Sequence, residues 1–367
     1  MKSRTHTPER LPLLSESLRR RHAVYEPADT RFRAAARLLQ ALWREKNDLP
    51  IGAHVDAAGG RRKLGSRLAR HAARAGANLL GPEIHRQTRR ELAYREPGAL
   101  IDEARLWSNL LSSMPLAFNL FAPVKLEPVL ARRLVNALCP DFMSQVIQVV
   151  FEHSPGRGDN LFTDDGTAFD VCIIGRDKEG GRVFLAIEIK YAEGMSEAEP
   201  RHRSRYDTLA ASCGLFTDAD DPWLRRNPYQ QLWRQHMLAQ SMVDCGLYDA
   251  GRYLLIAPRQ NNDVQRAARR YAKRVIEDPS KVEFSSVTLE DVVEALRGAG
   301  AQGHARALHE RYCDFTPVHD LVEAECARIA HGGDIEPAAA TETNGEAVAQ
   351  SPRRRRRTNA AVNSAGR

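Results

Sequence analysis

Thr167-Ala168-Phe169-Asp170-Val171-Cys172-Ile173-Ile174 and Val183-Phe184-Leu185-Ala186-Ile187-Glu188-Ile189-Lys190-Tyr191 are apolar runs rich in β-branched residues. The polar, glycine-bearing segment from Gly175 to Gly181 joins them, a pattern that predicts two strands and a hairpin. Side chains alternate along a strand, so Glu188 and Lys190 emerge on one face and Ile187 and Ile189 on the other. Asp170 opens the neighbouring strand, and a short hairpin brings it opposite Glu188. Two carboxylates and a lysine then converge at one position of a sheet.

Charged side chains are rarely buried in a sheet without partners, because desolvating them is costly. A divalent cation resolves the conflict. Carboxylate oxygens suit a hard ion, Mg²⁺ or alternatively Mn²⁺, which keeps several waters and shares its remaining positions with a substrate phosphate. Such an ion acts as a Lewis acid and acidifies bound water, while the lysine orients that water or offsets charge developing in the transition state. An isolated Glu-x-Lys would instead read as an ordinary cross-strand ion pair on a solvated face. The sequence around it decides between the two.

Upstream, Gln145 to Glu152 reads as a strand that ends at the turn Ser154-Pro155-Gly156. Downstream, Pro228 can start a helix that runs to about Gly246, with Leu232, His236, Ala239 and Val243 along one side. Arg252 to Pro258 then reads as a buried strand. Helix, three strands, helix, strand is the order of a mixed α/β sheet with helices against it. Val264 to Ile276 and Leu289 to Leu296 look helical, and Val282 to Phe284 adds a short strand.

Towards the N-terminus, helical periodicity is read at Phe32 to Lys46, at Ala99 to Asn119, and at Leu126 to Leu138 after a break near Pro123. Leu64, Leu68, Ala72 and Ala75 suggest one further helix from about Leu64 to Leu80. The basic residues beside it, Arg61, Arg62, Lys63, Arg67, Arg70 and Arg74, read first as a solvated helix face and alternatively as a nucleic-acid-contacting surface. This gives a helical region over 1–104, an α/β domain with C-terminal helices over 105–325, and a basic tail over 332–367. The tail has almost no large apolar residue and carries Arg353 to Arg357, so it is expected to be disordered.

The formal charge of +7 suits an anionic partner, although part of the excess lies in the tail. Six cysteines without a Cys-x-x-Cys pair read as buried, reduced thiols. No apolar run approaches the ~20 residues of a membrane helix, and Leu11-Pro12-Leu13-Leu14 is too short for the core of a secretion signal. The cytoplasm is the expected location. Gly59 to Ser66 resembles a phosphate loop only in composition, since its Gly-Lys-Ser order is broken.

Asp170 followed by Glu188-Ile189-Lys190 resembles the PD-(D/E)xK nuclease superfamily, with Phe169 where the superfamily's name shows proline. The chain is similar in particular to bacterial restriction-endonuclease-like proteins over about residues 105–275. The resemblance is carried by Phe118 to Pro123, Phe151 to Pro155, Thr167 to Asp170, Ile187 to Glu193 and Gln231 to His236, taken in that order. It implies a restriction-endonuclease-like core in which Asp170 and Glu188 are metal-binding acids and Lys190 is the catalytic lysine. Glu152 and Glu127 compete for a further upstream acid, and Glu152 is favoured because it lies in a matching block.

Gln231 and Arg234, three apart on a helix, share a face that can reach the site, one toward metal-bound water and the other toward a phosphate oxygen. Ordinary helix-surface hydrogen bonding is the alternative. Trp233 and His236 either pack in the core or stack on a base. Glu193 joins the acids only if the strand ends at Tyr191. The expected function is a Mg²⁺-dependent nuclease acting on nucleic acid, DNA ahead of RNA, and a homodimer would suit double-strand cleavage. The alternatives are an inactive nuclease-fold module that binds nucleic acid, and an adaptor whose basic tail recruits an acidic partner.

Overall fold

The computed structural model describes residues 10–55, 59–196 and 198–331, and the tail expected at 332–367 lies outside the described residues. The N-terminal part contains α1 (Glu16–Arg21), α2 (Arg31–Lys46), the antiparallel hairpin β1 (Ile51–Val55) and β2 (Arg61–Leu68), α3 (Arg70–Arg74), α4 (Pro82–Ala93) and α5 (Glu103–Ser108). Next come α6 (Ser113–Leu126) and α7 (Pro128–Leu138), then β3 (Gln145–His153), β4 (Phe169–Arg176) and β5 (Arg182–Ile189). After α8 (Ser204–Cys213) and α9 (Gln230–Asp244) follow β6 (Ala250–Ala257), α10 (Asn262–Ala272) and β7 (Glu283–Thr288). Helices α11 (Leu289–Gly298), α12 (Gln302–Tyr312) and α13 (Thr316–Ala330) complete the described chain.

Strands β3 to β7 form one mixed sheet in sequential order. The hairpin-linked pairs β3–β4 and β4–β5 are antiparallel, whereas β5–β6 and β6–β7 are parallel. Parallel neighbours require a crossover, and α8 with α9 provides the first while α10 provides the second. Helices therefore cover both faces of β5, and from Val183 to Ile189 every residue is buried. Val171, Ile187 and Ile189 belong to a core shared with α2, α6, α7, α11 and α12. On the other face, Cys172, Ala186 and Tyr253 pack with α8, α9 and α10.

The helix expected from Leu64 to Leu80 is not formed. Residues 61–68 are a strand, with Arg61, Arg62 and Lys63 exposed, and only the short α3 follows. Long-range backbone bonds outweigh the four-residue spacing of the leucines. Gly65 N–H donates to Ala23 O at 2.7 Å, and Leu110 N–H donates to Ser66 O at 3.1 Å. A side chain at position 65 would run into the His22 carbonyl, so glycine is required there. The same strand accounts for the false phosphate loop.

Pro123 does not interrupt α6, and the break comes instead at Pro128, which starts α7. Helices α1, α4 and α8 were not expected. The six cysteines are free, but only four are buried: Cys245 is half-buried and Cys326 exposed. Among the described residues, no helix is long and apolar enough to cross a membrane.

Candidate active site

The β4–β5 ladder ends at the pair Val171 and Ile187, so Asp170 and Glu188 stand next to each other where the strands part. Beyond that pair, Ile189 N–H donates to Asp170 Oδ2 at 2.7 Å, and the carboxylate takes the place of a strand carbonyl. Glu188 and Lys190 share the face toward α9 and are 3% and 4% exposed. Their Oε1 and Nζ lie 3.1 Å apart. Lys190 Nζ also donates to Gln231 Oε1 at 2.8 Å, and Gln231 Nε2 donates to Glu188 Oε1 at 2.7 Å. One glutamine thus bridges the acid and the base.

Gln235, one turn further along α9, holds the other carboxylate oxygen. Its Nε2 donates to Glu188 Oε2 at 2.6 Å and to Ala168 O at 2.8 Å, while its Oε1 accepts from the Tyr253 hydroxyl at 2.7 Å. Sequence reasoning passed over Gln235 although its spacing from Gln231 was visible. Tyr253, on β6, carried no such signal.

Glu152, next to last in β3, has φ at 49°, a left-handed conformation that costs a non-glycine residue ~1 kcal/mol or more. Burial and the charge of Glu188 raise its carboxyl to about 7, against the pull of Arg157 and Arg105. Burial, Glu188 and Glu152 likewise push Asp170 well above the ordinary aspartate range, against Lys190. The three carboxylates repel one another across a poorly solvated space. Glu127, the competing position, stands exposed at the cap of α7.

A loop of the N-terminal part supports Glu152. Glu96 accepts from Ser154 N–H and from Arg157, both at 3.0 Å, and pairs with His153 Nδ1. Arg157 in turn donates to the Glu152 carbonyl. No sequence signal pointed to Glu96, more than fifty residues from its partners.

Arg234 is not part of the bridge around Glu188. Its guanidinium donates to Asp165 Oδ2 at 3.0 Å and to Thr167 Oγ1 at 2.6 Å, and so pins the loop that leads into Asp170. Glu193 also points elsewhere, accepting from Ser113 N–H at 2.8 Å and from Arg105 at 3.2 Å. Trp233 and His236 are core residues, 1% and 0% exposed.

Whether these residues suit a cation is decided by their donors and charges. All the candidate donors are carboxylate oxygens, and burial first, then repulsion from neighbouring carboxylates, raises Asp170 and Glu152, a cost of ionisation that a cation would offset. Among the described residues, no group of three His, Cys, Asp or Glu side chains is disposed to hold a metal ion by itself. The arrangement fits an ion that takes few protein ligands and fills the rest with water and phosphate, as Mg²⁺ does.

A mixed sheet whose hairpin carries Asp170 on one strand and Glu188-Ile189-Lys190 on the next defines a nuclease-like α/β class. A family model described as the PD-(D/E)XK nuclease superfamily matches residues 27–314, and the chain belongs to that superfamily. The match takes in α2 and the β1–β2 hairpin as well as the sheet. Comparison with curated proteins and with solved structures gives no match.

Proposed function

We propose that the protein is a divalent-metal-dependent nuclease that hydrolyses phosphodiester bonds in DNA as an endonuclease. The observation that carries this reading is the meeting of Asp170, Glu188 and Lys190 at the parting ends of β4 and β5. Asp170 and Glu188 are the residues that would hold Mg²⁺ or Mn²⁺, with Glu152 as the third acid. When bound, the ion supplies Lewis acidity toward a phosphoryl oxygen and acidifies water. Lys190, which contacts Gln231 and Glu188, would place its ammonium group beside the reacting phosphate and offset the negative charge that develops there. Gln231 fixes the lysine, and Gln235 fixes the acid, so neither has to reorganise during the reaction.

The test is incubation of the purified chain with supercoiled plasmid and with single-stranded DNA and RNA, in Mg²⁺, Mn²⁺ or EDTA. Nicking or linearisation that requires metal is the expected result. DNA binding without cleavage in either metal would identify a binding module instead.

A further inference from the structure

A cavity of about 740 Å³ lies between the N-terminal part and the segments that follow β5, precede α9 and form the start of α10. One wall is Ala192 to Ser196, which begins two residues after Lys190, at most ~7 Å of chain away. Another wall is Asn227 to Tyr229, immediately before α9 and Gln231. The opposite side is built from the start of α2 and from β2, and Arg67 of β2 lines it. The cavity is of nucleotide dimensions and borders both chain segments that lead into the site.

Arg67 differs from Arg33 and Arg37, the other arginines there that are not exposed. Arg37 is held by both oxygens of Asp29, at 2.6 and 2.9 Å, and Arg33 by Asp29 and by the Ala192 carbonyl. Arg67 is half-buried, yet it makes no side-chain hydrogen bond or ion pair with any described residue. Burial and the neighbouring charges of Arg37 and Arg105 disfavour its cation, and only Asp102, beyond ion-pair distance, favours it. The acids along the cavity are already engaged: Asp29 as above, Glu26 by Arg62, Glu193 by Arg105 and Ser113, and the exposed Asp263 by Arg266. A half-buried guanidinium that lines a cavity and that no described protein group pairs with is suited to phosphate, which its planar fork fits well.

We propose that Arg67 binds a backbone phosphate of the nucleic-acid strand, beside the phosphodiester placed at Lys190, and that the cavity holds the attached nucleotide unit. This rests on the nuclease reading for the identity of the strand. The β1–β2 hairpin, which lies within the family match, then belongs to the substrate cleft.

The experiment is fluorescence anisotropy of a short labelled single-stranded DNA with the full chain in EDTA, so that no turnover intervenes. Arg67→Gln is expected to weaken binding ~10-fold and to lower the slope of log affinity against log salt by ~0.7. Arg269→Gln, which removes an exposed charge of α10 outside the cavity lining, is expected to cost ~2-fold at most. Arg67→Lys keeps the charge but not the fork, and loses ~3-fold; it carries the test if the glutamine variant unfolds. Inorganic phosphate should compete with DNA for wild type and not for Arg67→Gln.

Wild-type affinity in the Arg67 variants overturns the proposal. So does a wild type that binds no DNA, or phosphate bound at Arg67 that DNA does not displace. Wild type that holds DNA through Arg67 but cuts nothing with metal leaves this site standing and removes the nuclease reading. Metal-dependent cleavage with an unchanged KM in Arg67→Gln does the reverse.

Discussion

Arg311 on α12 and Lys190 at the end of β5 are both cations taken out of water by folding, at 0% and 4% exposure, but their surroundings differ. Arg311 is met by neutral groups. It donates to the carbonyl and side-chain oxygens of Asn78 and to Gln40, and its guanidinium lies 4.0 Å from the Trp43 ring centre. Lys190 instead faces a carboxylate at 3.1 Å, in a group where Asp170, Glu188 and Glu152 outnumber it. Dipoles and aromatic faces compensate a buried charge in one fixed geometry. Excess like charge leaves the folded chain with an unmet demand that a ligand can fill. The first arrangement stabilises the fold, and the second is the one that the proposed function assigns to binding a cation.

The largest effects should come from the carboxylate group. Asp170→Ala and Lys190→Ala are each expected to lower metal-dependent cleavage by at least ~10²-fold, as removal of one preorganised electrostatic group does. Metal binding should weaken with Asp170→Ala and stay intact or tighten slightly with Lys190→Ala. Circular dichroism should show both variants folded, since relieving crowded charge at the strand ends seldom destabilises a sheet. Near wild-type cleavage by either folded variant sinks the proposed mechanism.

Arg311→Met probes the other side of the comparison. It strands Asn78 Oδ1 in the core, leaves the Asn78 carbonyl with Asn119 Nδ2 alone, and removes the ring contacts, so urea unfolding should show a loss of about 3 kcal/mol. Once folded, the variant should respond to Mg²⁺ as wild type does. A stability loss confined to a few tenths of a kcal/mol would mean that the Arg311 cluster is not a structural charge site of the kind described.

Gln235→Met lies between the two cases, because it keeps the volume of the side chain but removes a fixed donor from Glu188 and an acceptor from Tyr253. A partner that only orients a metal-binding acid is worth ~10-fold in activity or metal affinity. The drop should be larger at low Mg²⁺ than at saturation. Equal loss at every Mg²⁺ concentration would assign Gln235 to structure alone.

The glutamines also show what the sequence could and could not reveal. Strand parity alone put Glu188 and Lys190 on one face, because alternation is a local property of the backbone. On α9, however, residues four apart are offset by about 40° and residues three apart by about 60° the other way. Gln235 therefore follows Gln231 into the site, while Arg234 turns toward Asp165. The β2 strand pairs locally with β1, but its further backbone contacts to Ala23 and Leu110, some forty residues away on either side, lie beyond the reach of a local pattern. Glu96 was hidden for the same reason: its role depends on tertiary contact with the end of β3.

His236 offers the smallest and most gradual test, because it is a buried titratable group compensated only by neutral partners. Nε2 donates to the Val282 carbonyl at 2.7 Å, Nδ1 lies 3.0 Å from the Tyr271 hydroxyl, and burial lowers the imidazole pKa to about 4. A histidine whose folded pKa lies below its unfolded value of 6.5 contributes stability that is full above 6.5 and is lost as pH falls toward 4. Over that window the unfolded chain binds the proton and the folded chain does not. Between pH 6.5 and about 5.5 the loss is about 1 kcal/mol. His236→Gln can still donate to Val282 but cannot titrate, so its urea midpoint should change less over this interval than that of wild type, whatever its stability at pH 7. Parallel pH dependence in the two proteins would show that His236 is protonated within the fold, and that burial among neutral dipoles does not hold this side chain uncharged.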